Sequence, residues 1–292
     1  MNKVAIVGPG AMGCLFAARL ACGGVKTYLI DYDLNRAALL QKQKITVETA
    51  EGEFTEKPNV TTKLPVNVDL VLVLTKAYST ASLHLPTDAP VLTLQNGLGN
   101  AETLAAMLGS AHVLAGATSE AVTWLAPGRV RHVASGKTVF GAWTSCPTEL
   151  PLALLQQAGF DASVTDAPGQ AIWEKVVLNA AINPLTALLN LPNGALLKKR
   201  EIRELMRDLV VEATKVAGTE GYSFPRSMVE ETERLCDATS TNISSMLQDI
   251  RNKKRTEIEA ISGEILRRGQ SALLPTPRTR VVYQLVRGLE SA

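Results

Sequence analysis

Lys175, Asn179 and Asn183 repeat at i, i+4 and i+8 within one short stretch. At about 100° per residue they fall along one stripe of a helix, drifting about 40° per step. From Val176 to Ile182 the other positions are apolar, so this helix is expected to be buried. One cation and two amides inside an apolar helix are costly unless something polar meets them. The stripe therefore reads as one wall of a pocket for a polar ligand; the alternative is that it meets solvent or another helix's polar groups. Pro184 follows directly and is expected to remove a helix hydrogen bond and kink the helix there. A second chemical signal is Gly8-Pro9-Gly10-Ala11-Met12-Gly13, a G-x-G-x-x-G run between a strand-like segment and a helix-like one. Its glycines allow a tight turn, close approach of a pyrophosphate, and close helix–strand packing, and the helix N-terminus offers free N–H groups to phosphates. Asp31 follows at the spacing of an acid that accepts from ribose hydroxyls; its plain alternative is a surface turn residue.

Further polar residues sit among apolar ones in the second half. Leu191-Pro192-Asn193-Gly194 is a turn by composition. Asn242, Ser245 and Gln248 flank the apolar set of a short helix containing Met246, Leu247 and Ile250. Thr256-x-x-Glu259 reads as a capping box opening a helix with Ile258, Ile261 and Ile265 inward, and Glu257 lies in its first turn, where the dipole favours a carboxylate. The basic run from Arg251 to Arg255 reads as a solvated loop or helix end.

The elements that carry these residues divide into two grammars. From residue 3 to about 165, short apolar runs alternate with helix-like segments: Val4 to Val7, then a helix over Ala11 to Cys22, then Thr27 to Ile30, Leu70 to Leu74, Val91 to Leu94 and Val113 to Ala115. That alternation predicts an α/β, doubly wound parallel sheet of the Rossmann type. Arg129 to Val133 and Lys137 to Phe140, either side of Ala134-Ser135-Gly136, predict a hairpin appended to the sheet. After Asp166-Ala167-Pro168-Gly169 the periodicity turns helical, as in Ile202, Leu205, Met206 and Leu209, and Thr276-Pro277 reads as N-cap and N1 of a last helix. The expected domains are therefore 1–167, which holds the glycine loop, and an all-helical 168–292.

Composition bounds the function classes. With 292 residues, 46% apolar and 20% charged, the chain reads as an ordinary globular protein. Lys plus Arg number 30 against 28 for Asp plus Glu, a balance that argues against nucleic acid or a membrane surface as main partner. Cys14, Cys22, Cys146 and Cys236 form no CxxC pair; with only His84, His112 and His132 beside them, reduced thiols in a cytoplasmic protein without bound metal are expected. No leader segment and no membrane span is expected.

Together these residues resemble the ketopantoate reductase (2-dehydropantoate 2-reductase) family across essentially the whole chain. The resemblance rests on GPGAMG at 8–13, LVLTKAY around Lys76, LQNGLG around Asn96, WEKVVLNAAINPLTAL, LPNGAL at 191–196, and NISSMLQDI followed by TEIEAISG. It implies NADPH-dependent reduction of 2-dehydropantoate to (R)-pantoate in the route to pantothenate and coenzyme A, with the site between the domains. By the same resemblance Lys175 is the general acid, Glu257 joins it in the catalytic set, and Asn179, Asn183, Asn193, Asn242 and Ser245 line the substrate site. Lys76 and Asn96 fall where cofactor and substrate meet. The residue types suit this: an ammonium can stabilise and protonate the developing oxyanion, and burial would lower its pKa.

The sequence departs from the family at Leu29-Ile30-Asp31-Tyr32-Asp33, where members usually carry an arginine for the 2′-phosphate. NADP(H) is implied by resemblance and NAD(H) is kept open by Asp31. Arg36 could instead swing back to the phosphate, with Tyr32 on the adenine and Asp31 turned outward. The substrate is expected to be a small molecule and the chain a monomer or homodimer. Alternatives that share the two-domain plan are another 2-oxoacid reductase, a β-hydroxyacid dehydrogenase, and a non-catalytic dinucleotide sensor.

Overall fold

The computed structural model describes residues 1–109 and 112–290. The chain forms two compact units, one of residues 1–95 and 100–171, the other of 96–99 and 172–292, whose last two residues lie outside the described ones.

In chain order the first unit contains β1 (Lys3–Val7), α1 (Ala11–Cys22), β2 (Lys26–Ile30), α2 (Leu34–Lys42), β3 (Ile45–Thr49), β4 (Gly52–Glu56), β5 (Asn59–Thr61) and β6 (Leu70–Val73). There follow β7 (Val91–Thr93), α3 (Asn100–Leu108), β8 (Val113–Thr118), β9 (Ala121–Ala126), β10 (Arg129–Ala134), β11 (Thr138–Ala142), α4 (Glu149–Gln157) and β12 (Ala162–Val164). Eight strands make the main sheet, in the order β12-β11-β8-β7-β6-β1-β2-β5, parallel except where β11 meets β8. The continuous apolar runs are explained by burial on both faces. Val4 and Ile6 of β1, with Leu70 and Leu72 of β6, enter one core with α1, while Ala5, Val7, Val71 and Val73 enter a second core on the opposite face. On the α1 side, Phe16 stacks on Phe160 at 4.1 Å between centroids.

The expected hairpin does not form. β10 pairs antiparallel with β9 and parallel with β3 in a separate four-stranded sheet, β4-β3-β10-β9, while β11 joins the main sheet beside β8. The tight turn lies earlier, at Pro127-Gly128, where Gly128 has φ +71°. Ala134-Ser135-Gly136 instead carries the chain from one sheet to the other. A Cβ on Gly136 would lie 2.4 Å from the backbone of Ser119, and the Ser119 N–H donates to the Lys137 carbonyl. Amphipathic alternation fits β10 to its own sheet: Val130 and His132 are buried, while Arg129 and Arg131 share the Glu48 carboxylate across the ladder.

The second unit is helical: α5 (Pro168–Leu189, its first turn counted with the first unit), α6 (Arg200–Thr219), α7 (Met228–Ala238), α8 (Ser245–Arg251), α9 (Glu264–Ser271) and α10 (Pro277–Glu290). Its core is built from one face of each, including Val177, Ala181 and Leu185 of α5, Leu209 and Val216 of α6, and Val282 and Val286 of α10, with Ile258, Ile261 and Ile265 from the segment leading into α9. α5 runs through Pro184 without ending. Thr276 and Pro277 do open α10, and the buried Glu212 carboxylate accepts the Arg278 N–H at 2.9 Å, the Thr279 N–H at 2.8 Å and the Thr279 hydroxyl at 2.7 Å. Those contacts satisfy orphan donors of that helix start. The capping box is only half realised. Thr256 Oγ1 accepts from the Ile258 N–H, but the Thr256 N–H donates to Glu290, and Glu259 takes the Tyr283 hydroxyl instead. A π-helical turn over Glu259–Gly263 shifts Glu259 out of the capping register. Among the described residues no helix is long and apolar enough to cross a membrane.

Candidate active site

The glycine loop closes as its three steric demands require. Gly8 has φ +110°, and a Cβ there would lie 2.6 Å from the Thr75 nitrogen; one on Gly13 would lie 1.9 Å from the Gly8 carbonyl oxygen. At Gly10 nothing lies within 4 Å of that position. The open side of the loop is therefore at Gly10, the N-cap residue of α1. Neither a side-chain cap nor an acid in the first turn occupies that helix start. Pro9, Ala11 and Met12 are part-buried around it. Such a cradle fits the pyrophosphate of a dinucleotide: bare backbone N–H groups, a helix N-terminus, and no Cβ in the way.

Beside it, the Gly8 N–H donates to the Ile30 carbonyl at 3.2 Å, tying the loop to the end of β2. Asp31 does not turn outward there. It is 1% exposed and pairs with Arg36, whose Nε meets Oδ2 and whose Nη2 donates to Oδ1 at 2.7 Å. Oδ1 also accepts the Asp33 N–H at 3.0 Å. The Tyr32 ring is exposed, and its hydroxyl donates to the His84 carbonyl.

Lys76 follows β6 and precedes a 3-10 turn over Ala77–Ser82. Around it lies a buried polar network that sequence reasoning missed. Gln95 Nε2 donates to the Thr75 carbonyl at 3.0 Å and to the Thr80 hydroxyl at 2.9 Å, and Thr80 donates to Asn100 Oδ1 at 2.9 Å. The only local hint is that Gln95 is a polar residue directly after the apolar run of β7.

Asn96 begins the four-residue segment that belongs to the helical unit. Its Nδ2 donates to Glu257 Oε2 at 3.1 Å, and the Leu98 N–H donates to the Ala260 carbonyl at 2.8 Å. Gly97 permits this docking: its φ is +89°, and a Cβ would lie 2.5 Å from the Ala260 oxygen. Glu257 is buried, and its charge reaches Lys175 on α5. Lys175 is part-buried; desolvation pushes its ammonium down from 10.5 to about 8, with the Glu257 carboxylate working against the drop. Lysine, carboxylate and amide thus form one electrostatic cluster.

Along the rest of the stripe Asn179 is part-buried and Asn183 buried. Farther on, the Thr186 hydroxyl, one turn beyond, meets the Ser244 hydroxyl at 2.6 Å, and Ser244 Oγ caps α8 by accepting the Leu247 N–H. Ser245 is exposed at the first position of α8. Asn193 and Asn242 are brought together, the Asn193 N–H donating to the Asn242 carbonyl at 3.0 Å. Asn193 Nδ2 donates to Thr239, while its buried Oδ1 has no hydrogen-bond partner among the described residues. Gln248 is turned back to the Ile243 carbonyl. The lysine–carboxylate cluster can donate a proton to a ligand oxygen; the amides, above all Asn193 Oδ1, can take polar groups of that ligand.

Comparison with known proteins gives a consistent result. Residues 4–145 match the family described as Ketopantoate reductase PanE/ApbA, and residues 169–290 match Ketopantoate reductase PanE/ApbA C terminal. A 2-dehydropantoate 2-reductase of Halobacterium salinarum is 34% identical, with 98% of each chain covered. The crystal structure of a PanE/ApbA family ketopantoate reductase from Ralstonia eutropha JMP134 superposes with a TM-score of 0.90 at 32% identity, covering 99% of this chain and 98% of that one. A ternary structure of D-mandelate dehydrogenase with NADH and anilino(oxo)acetate also gives a TM-score of 0.90, at 26% identity over 99% of this chain and 98% of that one.

Proposed function

The chain belongs to the ketopantoate reductase family, and we propose that it reduces the ketone of 2-dehydropantoate to (R)-pantoate. It is an oxidoreductase acting on a CH–OH group with a nicotinamide dinucleotide. The observation that carries the substrate reading is the Lys175–Glu257–Asn96 cluster on a buried helix. The bound nicotinamide supplies a hydride to the carbonyl carbon. Lys175 stabilises the charge that develops on the carbonyl oxygen and gives it a proton, leaving an alcohol and a neutral amine. Burial makes that neutral amine accessible near physiological pH, since the ammonium sits at about 8. Glu257 keeps the lysine protonated before the reaction and accepts from the C4 hydroxyl. Asn96 orients the Glu257 carboxylate through its 3.1 Å hydrogen bond. Asn179, Asn183 and Asn242 supply amides for the substrate carboxylate, Asn193 Oδ1 a further acceptor, and Ser245 a hydroxyl. Gly8, Pro9, Gly10, Ala11, Met12 and Gly13 hold the dinucleotide phosphates, with Asp31, Lys76 and Asn96 completing the cofactor set. The setting is the cytoplasm, where the reaction serves pantothenate and coenzyme A synthesis, and the partner is this small substrate alone; the chain acts as a monomer or homodimer.

Purified chain is expected to oxidise NADH or NADPH in the presence of 2-dehydropantoate. Turnover should exceed that of 3,3-dimethyl-2-oxobutanoate, which lacks the hydroxyl, by about 10–100-fold, the value of a hydrogen bond to a charged group. Equal turnover of the two, or preference for an aromatic 2-oxoacid, would instead support a reductase of another 2-oxoacid, the reading favoured by the likeness to D-mandelate dehydrogenase.

A further inference from the structure

We propose that Arg36, held in place by Asp31, reads the adenosine end of the cofactor and makes the chain selective for a dinucleotide that carries a 2′-phosphate. The assignment rests on the dinucleotide reading of the glycine loop. In a Rossmann-type sheet an acid at the end of the second strand ordinarily accepts from the ribose hydroxyls. Asp31 stands at that place, but its acceptor sites are engaged. Arg36 Nε meets Oδ2, Arg36 Nη2 meets Oδ1 at 2.7 Å, and the Asp33 N–H meets Oδ1 at 3.0 Å, while the side chain is 1% exposed. A carboxylate sealed and bonded in this way has little left to offer a ribose.

The guanidinium is the accessible half of the pair. Its side chain is 45% exposed. Two of the fork's five N–H donors are spent on Asp31, which leaves the Nη1 edge facing away from the carboxylate. Bidentate pairing fixes the plane of the fork before any ligand arrives, so little rotamer freedom remains to be lost on binding. The backbone is fixed too, because Asp33 Oδ1 accepts the Arg36 N–H at 2.9 Å as the N-cap of α2. The position suits the task, since the hydrogen bond between Gly8 and Ile30 joins the phosphate loop to the strand end that carries Asp31. Electrostatically, the pair replaces the negative charge that a lone Asp31 would turn on a 2′-phosphate with a neutral unit whose outer edge is cationic. Asp31 is thus a positioning residue.

Calorimetric titration of the full chain with 2′,5′-ADP and with 5′-ADP tests this without turnover. Wild type is expected to bind 2′,5′-ADP at least about tenfold more tightly, the value of one charge-assisted contact. Arg36→Gln should abolish the preference by weakening 2′,5′-ADP alone, and Asp31→Asn should narrow it. Arg36→Gln leaves a buried carboxylate without its counter-ion, so Arg36→Lys, which keeps the charge and loses the fork, serves as second variant and should give an intermediate ratio. Equal wild-type affinities, an Asp31→Asn variant that binds 2′,5′-ADP more tightly, or equal losses for both ligands in the Arg36 variants would each overturn the assignment while leaving the dinucleotide reading intact. Binding of neither fragment would overturn both.

Discussion

Replacing Glu257 by glutamine separates the two tasks given to that carboxylate. Lys175 sits at about 8 against an ordinary 10.5, which amounts to about 3 kcal/mol in favour of the neutral amine at 1.36 kcal/mol per pH unit. Desolvation causes the drop and Glu257 opposes it. Glutamine keeps the shape and leaves Asn96 an oxygen to bond, but removes the opposing charge. An opposite charge at close range typically moves a pKa by about 1–3 units, so the lysine should fall by about one or more. A general acid must be protonated, so kcat/KM in wild type should decline as pH rises through about 8. In Glu257→Gln that alkaline limb should begin about one unit lower, and above both limbs the variant should lose about tenfold from proton occupancy alone. Whatever loss persists at acidic pH, where both proteins are protonated, measures direct contact with substrate. Stability moves the opposite way. The unfolded chain keeps the lysine protonated to about 10.4 while the folded chain releases the proton near 8, so this group adds stability as pH rises across that window. Alkaline loss of activity through Lys175 therefore cannot be loss of fold. The assay is kcat/KM across pH for both proteins, with unfolding followed in the same buffers. A limb that stays in place or moves upward in Glu257→Gln would refute the coupling and leave Glu257 as a helix-start acid.

Two further substitutions test the parts around this cluster. Lys175→Ala should lower kcat by about 10²–10⁴-fold with nucleotide affinity unchanged in a fluorescence titration; retention of more than a tenth of wild-type kcat would remove it as the acid. Gly97→Ala must force a Cβ to 2.5 Å from the Ala260 oxygen at φ +89°, so the thermal midpoint should fall by an amount worth about 1–3 kcal/mol, with kcat falling alongside. An unchanged midpoint and full turnover would show that the Asn96 loop does not need this docking.

The glycine loop was legible in the sequence because its demands are local. Gly8 and Gly13 exclude a Cβ through atoms of the loop or of the adjoining strand end, and Gly10 leaves the open side. The polar stripe was legible because helical period alone aligns Lys175, Asn179 and Asn183. The second sheet was not, since pairing β10 with β3 requires strands from distant parts of the chain, and two glycine-containing turns competed for the hairpin. Pro127-Gly128 won because it joins strands of matching alternation, whereas Gly136 is small for a different reason, its contact with Ser119. At the β2 end the sequence offered a carboxylate and an arginine five residues apart but not their pairing, which depends on how α2 starts from its Asp33 cap.

Asn96 is the sharpest case. Nothing near it indicates a partner 161 residues away, and Asn96-Gly97 reads only as loop punctuation. The same dipeptide has two physical meanings that composition cannot separate: a glycine chosen for its turn, and a glycine chosen because a backbone passes against it. Here both hold. The positive φ turns the chain out of β7, and the missing side chain admits Ala260, which lies three residues beyond Glu257. The asparagine's hydrogen bond to that acid is therefore set by its neighbour's lack of a side chain. If so, restoring volume at Gly97 should disturb the Glu257–Lys175 balance without touching either residue.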